Sequence, residues 1–241
     1  MRDWQGNSWN PSLNTKAAQA NSRFTVSIYN APTLSKEFDN PRGVPISAII
    51  FGGRRTHVMP LVVEAFNWQN GVFAGARMGS ETTAAAAHQV GQLRRDPMAM
   101  IPFCGYNMGD YFQHWLNMGK KLKHPPKIFS VNWFRVDDEG KFIWPGFGDN
   151  IRVLKWIIER VNDKVAAKET PVGLVPQLAD LDLQGLNISP EKLERLFSIK
   201  PDQWQAEIAD TEKFFSQFGS RLPKELHQEL QELGRRMTVS G

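Results

Sequence analysis

The chain has 241 residues, 41% of them apolar and 22% charged, with a net charge of +4. That length builds one large domain or two small ones around a real core, and the composition excludes a collagen, a coiled coil or a disordered tail. Apolar runs such as 49–51 and 61–63 are far too short to cross a bilayer, the polar first twenty residues hold no signal core, and the single cysteine, Cys104, excludes an intrachain disulfide and fits a reducing compartment.

Residues 1–45, broken by Pro11, Pro32 and Pro41, read as irregular, with one strand around 24–28. Residues 46–51 carry three isoleucines and end in Gly52-Gly53, a buried strand opening into a loop. Residues 61–68 read as a short helix and 72–76 as a second strand. Residues 82–88 hold four consecutive alanines and no large apolar anchor, so they read as a weakly held helix able to act as a mobile lid. A helix is predicted over 110–120, a strand over 128–134, an acidic turn at 137–140 and an amphipathic helix over 151–161. Ser189 and Pro190 suit an N-cap and a first helical position. Trp204, Ile208, Phe215 and Phe218 then recur at helical spacing up to Gly219, and Leu226, Leu230 and Leu233 recur up to Gly234. The fold class expected is mixed α/β, in the α+β sense, with a helical C-terminal third.

Charge is uneven. Residues 1–150 hold 16 Lys/Arg against 11 Asp/Glu, and 151–241 hold 13 against 14, so the basic surplus lies in the first part. It comes as two pairs, Arg54–Arg55 and Arg94–Arg95, and single arginines such as Arg23 and Arg77, without the long runs typical of nucleic-acid binding. An arginine pair directly after two glycines suits a clamp for a small anion, because guanidinium forks match carboxylate and phosphate oxygens; the bland alternative is solvated surface arginine.

Several familiar chemistries are absent. No G-x-x-x-x-G-K-S/T occurs, nor a G-x-G-x-x-G after a strand. The five histidines form no i,i+4 pair and no H-E-x-x-H, and Gly79-Ser80 lacks a nucleophile-elbow frame. Asp110 and His114 stand one helical turn apart, the spacing of an ordinary surface contact.

Longer segments carry more. Asn21-Ser22-Arg23-Phe24, Gly43-Val44-Pro45-Ile46, Ile49-Ile50-Phe51-Gly52-Gly53-Arg54-Arg55, Ser80-Glu81-Thr82-Thr83-Ala84-Ala85-Ala86, Arg95-Asp96-Pro97-Met98-Ala99-Met100, Val131-Asn132-Trp133-Phe134-Arg135 and the run from Phe142 to Asn150 occur in order. Together they closely resemble the C-terminal part of GTP-dependent phosphoenolpyruvate carboxykinase, from about residue 3 to the C-terminus. The resemblance implies that family's C-terminal lobe, a mixed sheet with a helical last third. It also implies a carboxy-lyase of gluconeogenesis that turns oxaloacetate and GTP into phosphoenolpyruvate, GDP and carbon dioxide with a divalent metal, manganese or magnesium. Decarboxylation leaves an enolate that takes the γ-phosphoryl group, and both steps build up negative charge that cationic groups stabilise.

By the same resemblance, Asn21, Ser22 and Arg23 reach the substrate, with Arg23 catalytic and touching the transferring phosphoryl group, and Arg54 faces nucleotide phosphate. Phe134, Phe142 and Phe147 form the guanine pocket, and Gly148, Asp149 and Asn150 complete it, with Asn150 reading the base edge. Glu81, Thr82, Thr83, Ala84, Ala85, Ala86, Ala87 and His88 form a lid that excludes water and protects the enolate. Gly79 and Ala87 depart from the family pattern around that lid. The implied divisions are an N-terminal segment 1–45 with substrate-arm residues, a nucleotide-binding core 46–165 with the lid, and a helical subdomain 166–241.

The family's chain is more than twice this long. Its phosphate loop, reactive cysteine, metal-binding Lys, His and Asp and substrate arginine lie upstream of the matched part, so no metal ligand is expected here and Cys104 does not match that cysteine. Stacking supplies about 1–3 kcal/mol and each Arg–phosphate contact about 1.5–3, against an association cost of roughly 4–15. The expectation is a C-terminal fragment that binds GTP very weakly and is inactive alone. Its expected partners are oxaloacetate or phosphoenolpyruvate, guanine nucleotide and a separately encoded N-terminal half, with no nucleic acid or membrane, in the cytoplasm. Exposed apolar surface and self-association are expected where that half would pack. The alternative is a non-catalytic nucleotide- or partner-binding remnant.

Overall fold

A short apolar run becomes a strand when both of its faces are covered. In a computed structural model, which describes residues 1–19, 22, 25–83 and 89–239, the strands are β1 (Ala48–Gly52), β2 (Val62–Glu64), β3 (Gly79–Glu81), β4 (Leu93–Arg95), β5 (Lys127–Val131), β6 (Lys168–Thr170) and β7 (Gly173–Val175). Five form a mixed sheet in the order β1-β5-β2-β7-β6, with β1 parallel to β5 and the other pairs antiparallel; β3 and β4 form a separate hairpin. The helices are α1 (Trp68–Ala76), α2 (Met108–Lys121), α3 (Asn150–Val161), α4 (Pro190–Phe197), α5 (Pro201–Phe215) and α6 (Lys224–Val239).

Strand periodicity sorts the core into two layers. Val63 and Ile128 point into one apolar cluster with Phe73 of α1, Phe112 of α2, Trp204 of α5 and Leu226 of α6. Their neighbours Val62 and Phe129 point into the other, with Trp144, Trp156 of α3 and Leu196 of α4. The fold is therefore the expected mixed α/β class with a helical C-terminal region.

The chain divides into two units, Met1–Pro45 with Thr82–Gln92, and Ile46–Glu81 with Leu93–Gly241. In the first, Asp3 Oδ1 accepts the backbone N–H groups of Gln5 and Asn7, and Tyr29 packs edge-on against Phe38 at 5.7 Å. The neck of segment 82–92 is closed: Thr82 N–H donates to the Gln92 carbonyl at 2.9 Å, and Gly91 N–H to the Thr82 carbonyl at 2.9 Å.

Several local expectations are overturned. Residues 61–68 hold β2 rather than a helix, because Val62–Glu64 sits between β5 and β7 and is buried along its length. Residues 72–76 are helical, not extended: Asn67 caps α1 by accepting from Asn70 N–H, and the small residues of α1 let it lie close on the sheet. A Cβ at Gly71 would meet Ile128 at 2.5 Å. No strand runs through 25–28, where Ile28–Asn30 forms a 3-10 turn; Phe24 lies outside the described residues. β5 stops at Val131, because the Asn132 side chain binds the Arg55 and Met59 carbonyls at 2.8 and 3.0 Å and turns the chain. α6 runs through Gly234 to Val239, since buried Met237 extends the Leu226–Leu230–Leu233 stripe by another turn. The Ser189 cap holds, with its Oγ accepting Lys192 N–H at 3.3 Å.

Candidate functional site

β1 delivers the chain into the Gly-Gly-Arg-Arg loop, and the loop lies hard against β3. A Cβ at Gly53 would meet the Gly79 carbonyl oxygen at 2.6 Å, a backbone atom that cannot swing away, so glycine is required there. Arg54 N–H donates to Ser80 Oγ at 3.1 Å, and its carbonyl accepts Glu81 N–H at 2.8 Å. Glu81 Oε1 also accepts the Thr56 N–H and hydroxyl at 2.8 and 2.9 Å. The backbone is thus clamped while the Arg54 guanidinium stays half-buried, 4.0 Å over the Phe134 ring.

The acidic turn brings the second ring across. Asp137 Oδ1 accepts the Glu139 and Lys141 N–H groups, Gly140 takes φ 74°, and Val136 bridges to Phe142. Phe134 and Phe142 then meet edge-on with centroids 5.8 Å apart. Arg54, Ser80, Trp133 and Phe134 line a cleft of about 360 Å³, within the range of ligand sites. A larger cleft of about 1010 Å³, between the β6–β7 hairpin and the helical third, is lined by none of the expected site residues.

Phe147 stands apart from that pair. It is 94% exposed, pairs with no other ring among the described residues, and has φ 48°, a left-handed conformation disfavoured for an L side chain. Gly146 before it, at φ 74°, and Gly148 after it leave the 3-10 turn Phe147–Asp149 open to solvent. Asp149 Oδ1 accepts from Arg152 Nε at 2.8 Å. Asn150 opens α3, and its Oδ1 accepts Trp144 Nε1–H at 2.9 Å, so a buried indole fixes the orientation of its amide.

Arg55 turns the other way, into the core. Its two terminal nitrogens grip Glu207 of α5 at 3.1 and 2.6 Å. The same carboxylate takes Arg95 Nη1 at 2.9 Å and faces Arg77 Nη1 at 3.7 Å, while Arg95 also binds Asp210 at 2.6 Å. Burial alone would raise the Glu207 pKa; the Arg55 hydrogen bonds and the Arg55, Arg95 and Arg77 charges outweigh it and hold the carboxyl at about 2. Burial pushes Arg77 down to about 10 even though Glu207 pulls it up, with Arg95 and Arg55 adding to the lowering. Arg135 is another internal brace, buried and bonded to the Ser198 carbonyl and Oγ at 3.1 and 2.9 Å, and burial lowers it too to about 10. Much of the basic surplus of residues 1–150 is therefore inside the protein rather than on an anion-facing surface.

The structure brings Arg54, Phe134 and Phe142 together, with Phe147, Gly148, Asp149 and Asn150 following on the same stretch of chain. Ser22 is exposed; Asn21 and Arg23 lie outside the described residues. Of the lid residues, Glu81 ends β3, Thr82 and Thr83 are half-buried, and Ala84, Ala85, Ala86, Ala87 and His88 lie outside the described residues. Asp110 meets Arg221 at 2.6 Å, a surface pair of its own. Sequence reasoning missed Glu207, Asp210, Ser80 and Asn132. Glu207 had left a signal: it lies three residues after Trp204 and four before Thr211, an acid on the buried face of its helix.

Among the described residues no group of three or more His, Cys, Asp or Glu side chains is placed to hold a metal ion. The described side chains therefore do not fit the divalent metal that the resemblance implies. No helix among them is long and apolar enough to cross a membrane.

Fold and site define a mixed α/β domain that presents one arginine and a set of phenylalanines beside a modest cleft, over a buried arginine network. The family described as phosphoenolpyruvate carboxykinase C-terminal P-loop domain matches residues 1–236, and the chain belongs to that family. Its relatives include proteins named phosphoenolpyruvate carboxykinase (GTP). That of Anaeromyxobacter dehalogenans strain 2CP-1 is 52% identical over 224 residues, covering 93% of this chain and 38% of its own. That of Paenarthrobacter aurescens strain TC1 is 51% identical over 239 residues, covering 98% and 39%. The chain thus spans under two-fifths of the length of the curated relatives it matches.

Proposed function

We propose that the chain is the guanine-nucleotide side of a GTP-dependent phosphoenolpyruvate carboxykinase. The observation that carries this reading is the Arg54–Phe134–Phe142 arrangement, with Phe147 exposed at a positive φ five residues after Phe142. Stacking on phenylalanine suits any base, and amide groups at Asn150 supply the choice of guanine. In the reaction the carbon–carbon bond to the leaving carboxylate breaks and carbon dioxide departs. The electron pair becomes an enolate, whose oxygen takes the γ-phosphoryl group as GDP leaves. Arg54 holds nucleotide phosphate as that charge moves, and Arg23 with Asn21 and Ser22 meets the substrate.

In this reading residues 1–45 supply the substrate arm, 46–165 the nucleotide core with its lid, and 166–241 the helical support, in a cytoplasmic enzyme. The remainder of the enzyme brings the phosphate loop and the metal, manganese or magnesium. β1 is an edge strand of its sheet, and Ile46 just before it and Ile50 within it, 70% and 41% exposed, support an apolar contact with that remainder. The full reaction, and its place in gluconeogenesis, belong to the joined parts.

The test has two arms. In an NMR titration at millimolar nucleotide, GTP is expected to shift the ring signals of Phe134, Phe142 and Phe147 more than ATP does; no shift from either overturns the nucleotide site. Mixing with a separately expressed N-terminal part of the Anaeromyxobacter relative is expected to produce carboxykinase activity absent from either part. Nucleotide binding without restored activity would favour a non-catalytic binding remnant.

A further inference from the structure

Under the Gly-Gly-Arg-Arg loop lies a cavity of about 30 Å³, lined by Phe51, Arg55, Met59, Arg77, Ser130 and Asn132 among others. Two of these residues, Arg55 and Arg77, belong to an ion-pair network with an unusual charge balance. Arg55 and Arg77 are 8% and 6% exposed, and the Arg95 side chain 8%. Against these three cations stand Glu207, whose side chain is 4% exposed, and Asp210, whose side chain is 51% exposed and already tied to Arg95. Glu207 serves Arg55 and Arg95 at 2.6 and 2.9 Å and reaches Arg77 only at 3.7 Å.

Arg77 is therefore the under-compensated member. Its Nε has no hydrogen-bond partner among the described residues, although the nitrogen is fully buried. Trp204 and Phe73 lie 4.9 and 5.5 Å from its guanidinium and offer only ring faces. The Asn132 amide is spent on backbone: its Nδ2 donates to two carbonyls and its Oδ1 accepts from Arg55 and Phe134. A buried cation short of a counter-charge costs far more than a satisfied one, and native proteins cover such groups with an ion or water.

We propose that this cavity is a binding site for a single monoatomic anion, a halide such as chloride, held by Arg77 and Arg55. Charge selects the class, since a water brings no counter-charge to Arg77 and Arg55, the two arginines that line the pocket. Size points the same way, since so small a space suits one compact occupant such as a single atom. The occupant would brace the inner side of the loop that carries Arg54 and the root of β3, because Gly53 and Gly79 also line the cavity. The proposal stands apart from the nucleotide reading, and its test uses no nucleotide.

The experiment is thermal unfolding of the full 241-residue chain at fixed ionic strength, with sodium chloride or bromide replacing sodium gluconate. Fixed ionic strength separates binding from screening. The expected result is a saturable rise in midpoint, about 3–6 °C near ten times the dissociation constant, that Arg77→Met abolishes. No halide dependence, or an equal dependence in Arg77→Met, overturns the proposal. Crystals grown in bromide give the second measurement on the unaltered chain. An anomalous peak within hydrogen-bond distance of Arg77 Nε is expected, and a water there in its place overturns the site even if Arg77→Met fails to fold.

Discussion

Arg54 and Arg55 are neighbours in sequence and opposites in environment. Arg54 lies half-buried over an aromatic ring beside a cleft, while Arg55 is locked in the core against Glu207. The second pair divides the same way: the Arg94 side chain is 60% exposed, and that of Arg95 is 8% exposed on Glu207 and Asp210. On β4 the extended backbone sends Arg94 and Arg95 to opposite faces, and the loop after β1 parts Arg54 from Arg55 in the same way, so one residue of each pair is spent on structure and the other is left nearer the surface. The inner arginines fix where the loop sits, and the outer Arg54 inherits a position without spending its own charge to hold it.

The difference breaks most sharply at Glu207. Glu207→Ala leaves Arg55, Arg77 and Arg95 without their shared carboxylate and should cost about 3–5 kcal/mol of unfolding free energy in denaturant titration. A loss below about 1 kcal/mol would show that the inner network does not hold the loop. Acid should reach the same interaction more gently. Because the Glu207 carboxyl sits at about 2 when folded, against an ordinary 4.5, its stabilisation is complete above pH 4.5 and is lost as pH falls from about 4.5 toward 2. That limb is worth roughly 3 kcal/mol and should be flattened in Glu207→Gln, measured as unfolding midpoint against pH.

The same contrast explains what could be read from the residues alone. Of the outer half, Arg54 after two glycines and the acidic turn at 137–140 were local signals, while Phe134, Phe142 and Phe147 were named only through the resemblance; that the turn brings Phe142 against Phe134 came from the structure. The inner half was not legible, because Arg55 and Glu207 are 152 positions apart and no spacing rule links them. Strand and helix assignments failed where tertiary burial overrode local pattern. Val62–Glu64 is too short to show a period, and Val72, Phe73 and Ala76 are apolar enough for either structure. The resemblance carried the family because long ordered segments survive such local errors. Arg77 illustrates the remaining limit, since a lone arginine gives no hint that it lies buried under Trp204.

On the outer side the expected effects move from stability to binding. Arg54→Ala removes a ring contact worth about 0.5–1 kcal/mol, so the fold should hold, while nucleotide affinity falls roughly tenfold to over a hundredfold with the lost phosphate contact. Nucleotide titration followed by NMR reads this directly. Unchanged affinity would detach Arg54 from phosphate and leave it as a lid over Phe134.

The smallest effect on stability is the most discriminating. Phe147 buries almost nothing, at 94% exposure, yet sits at φ 48°, where an L side chain costs about 1–2 kcal/mol and glycine does not. Phe147→Gly relieves that strain and adds back some unfolded-state freedom, so unfolding free energy should rise by up to about 1 kcal/mol. Guanine nucleotide binding should weaken at the same time, by a factor of about 5 to 150 for one lost stacking face. Gains in stability and losses in binding at one position are the signature of strain kept for a ligand. A variant that becomes both more stable and equally able to bind would make Phe147 an incidental surface ring and move the base pocket onto Phe134 and Phe142 alone.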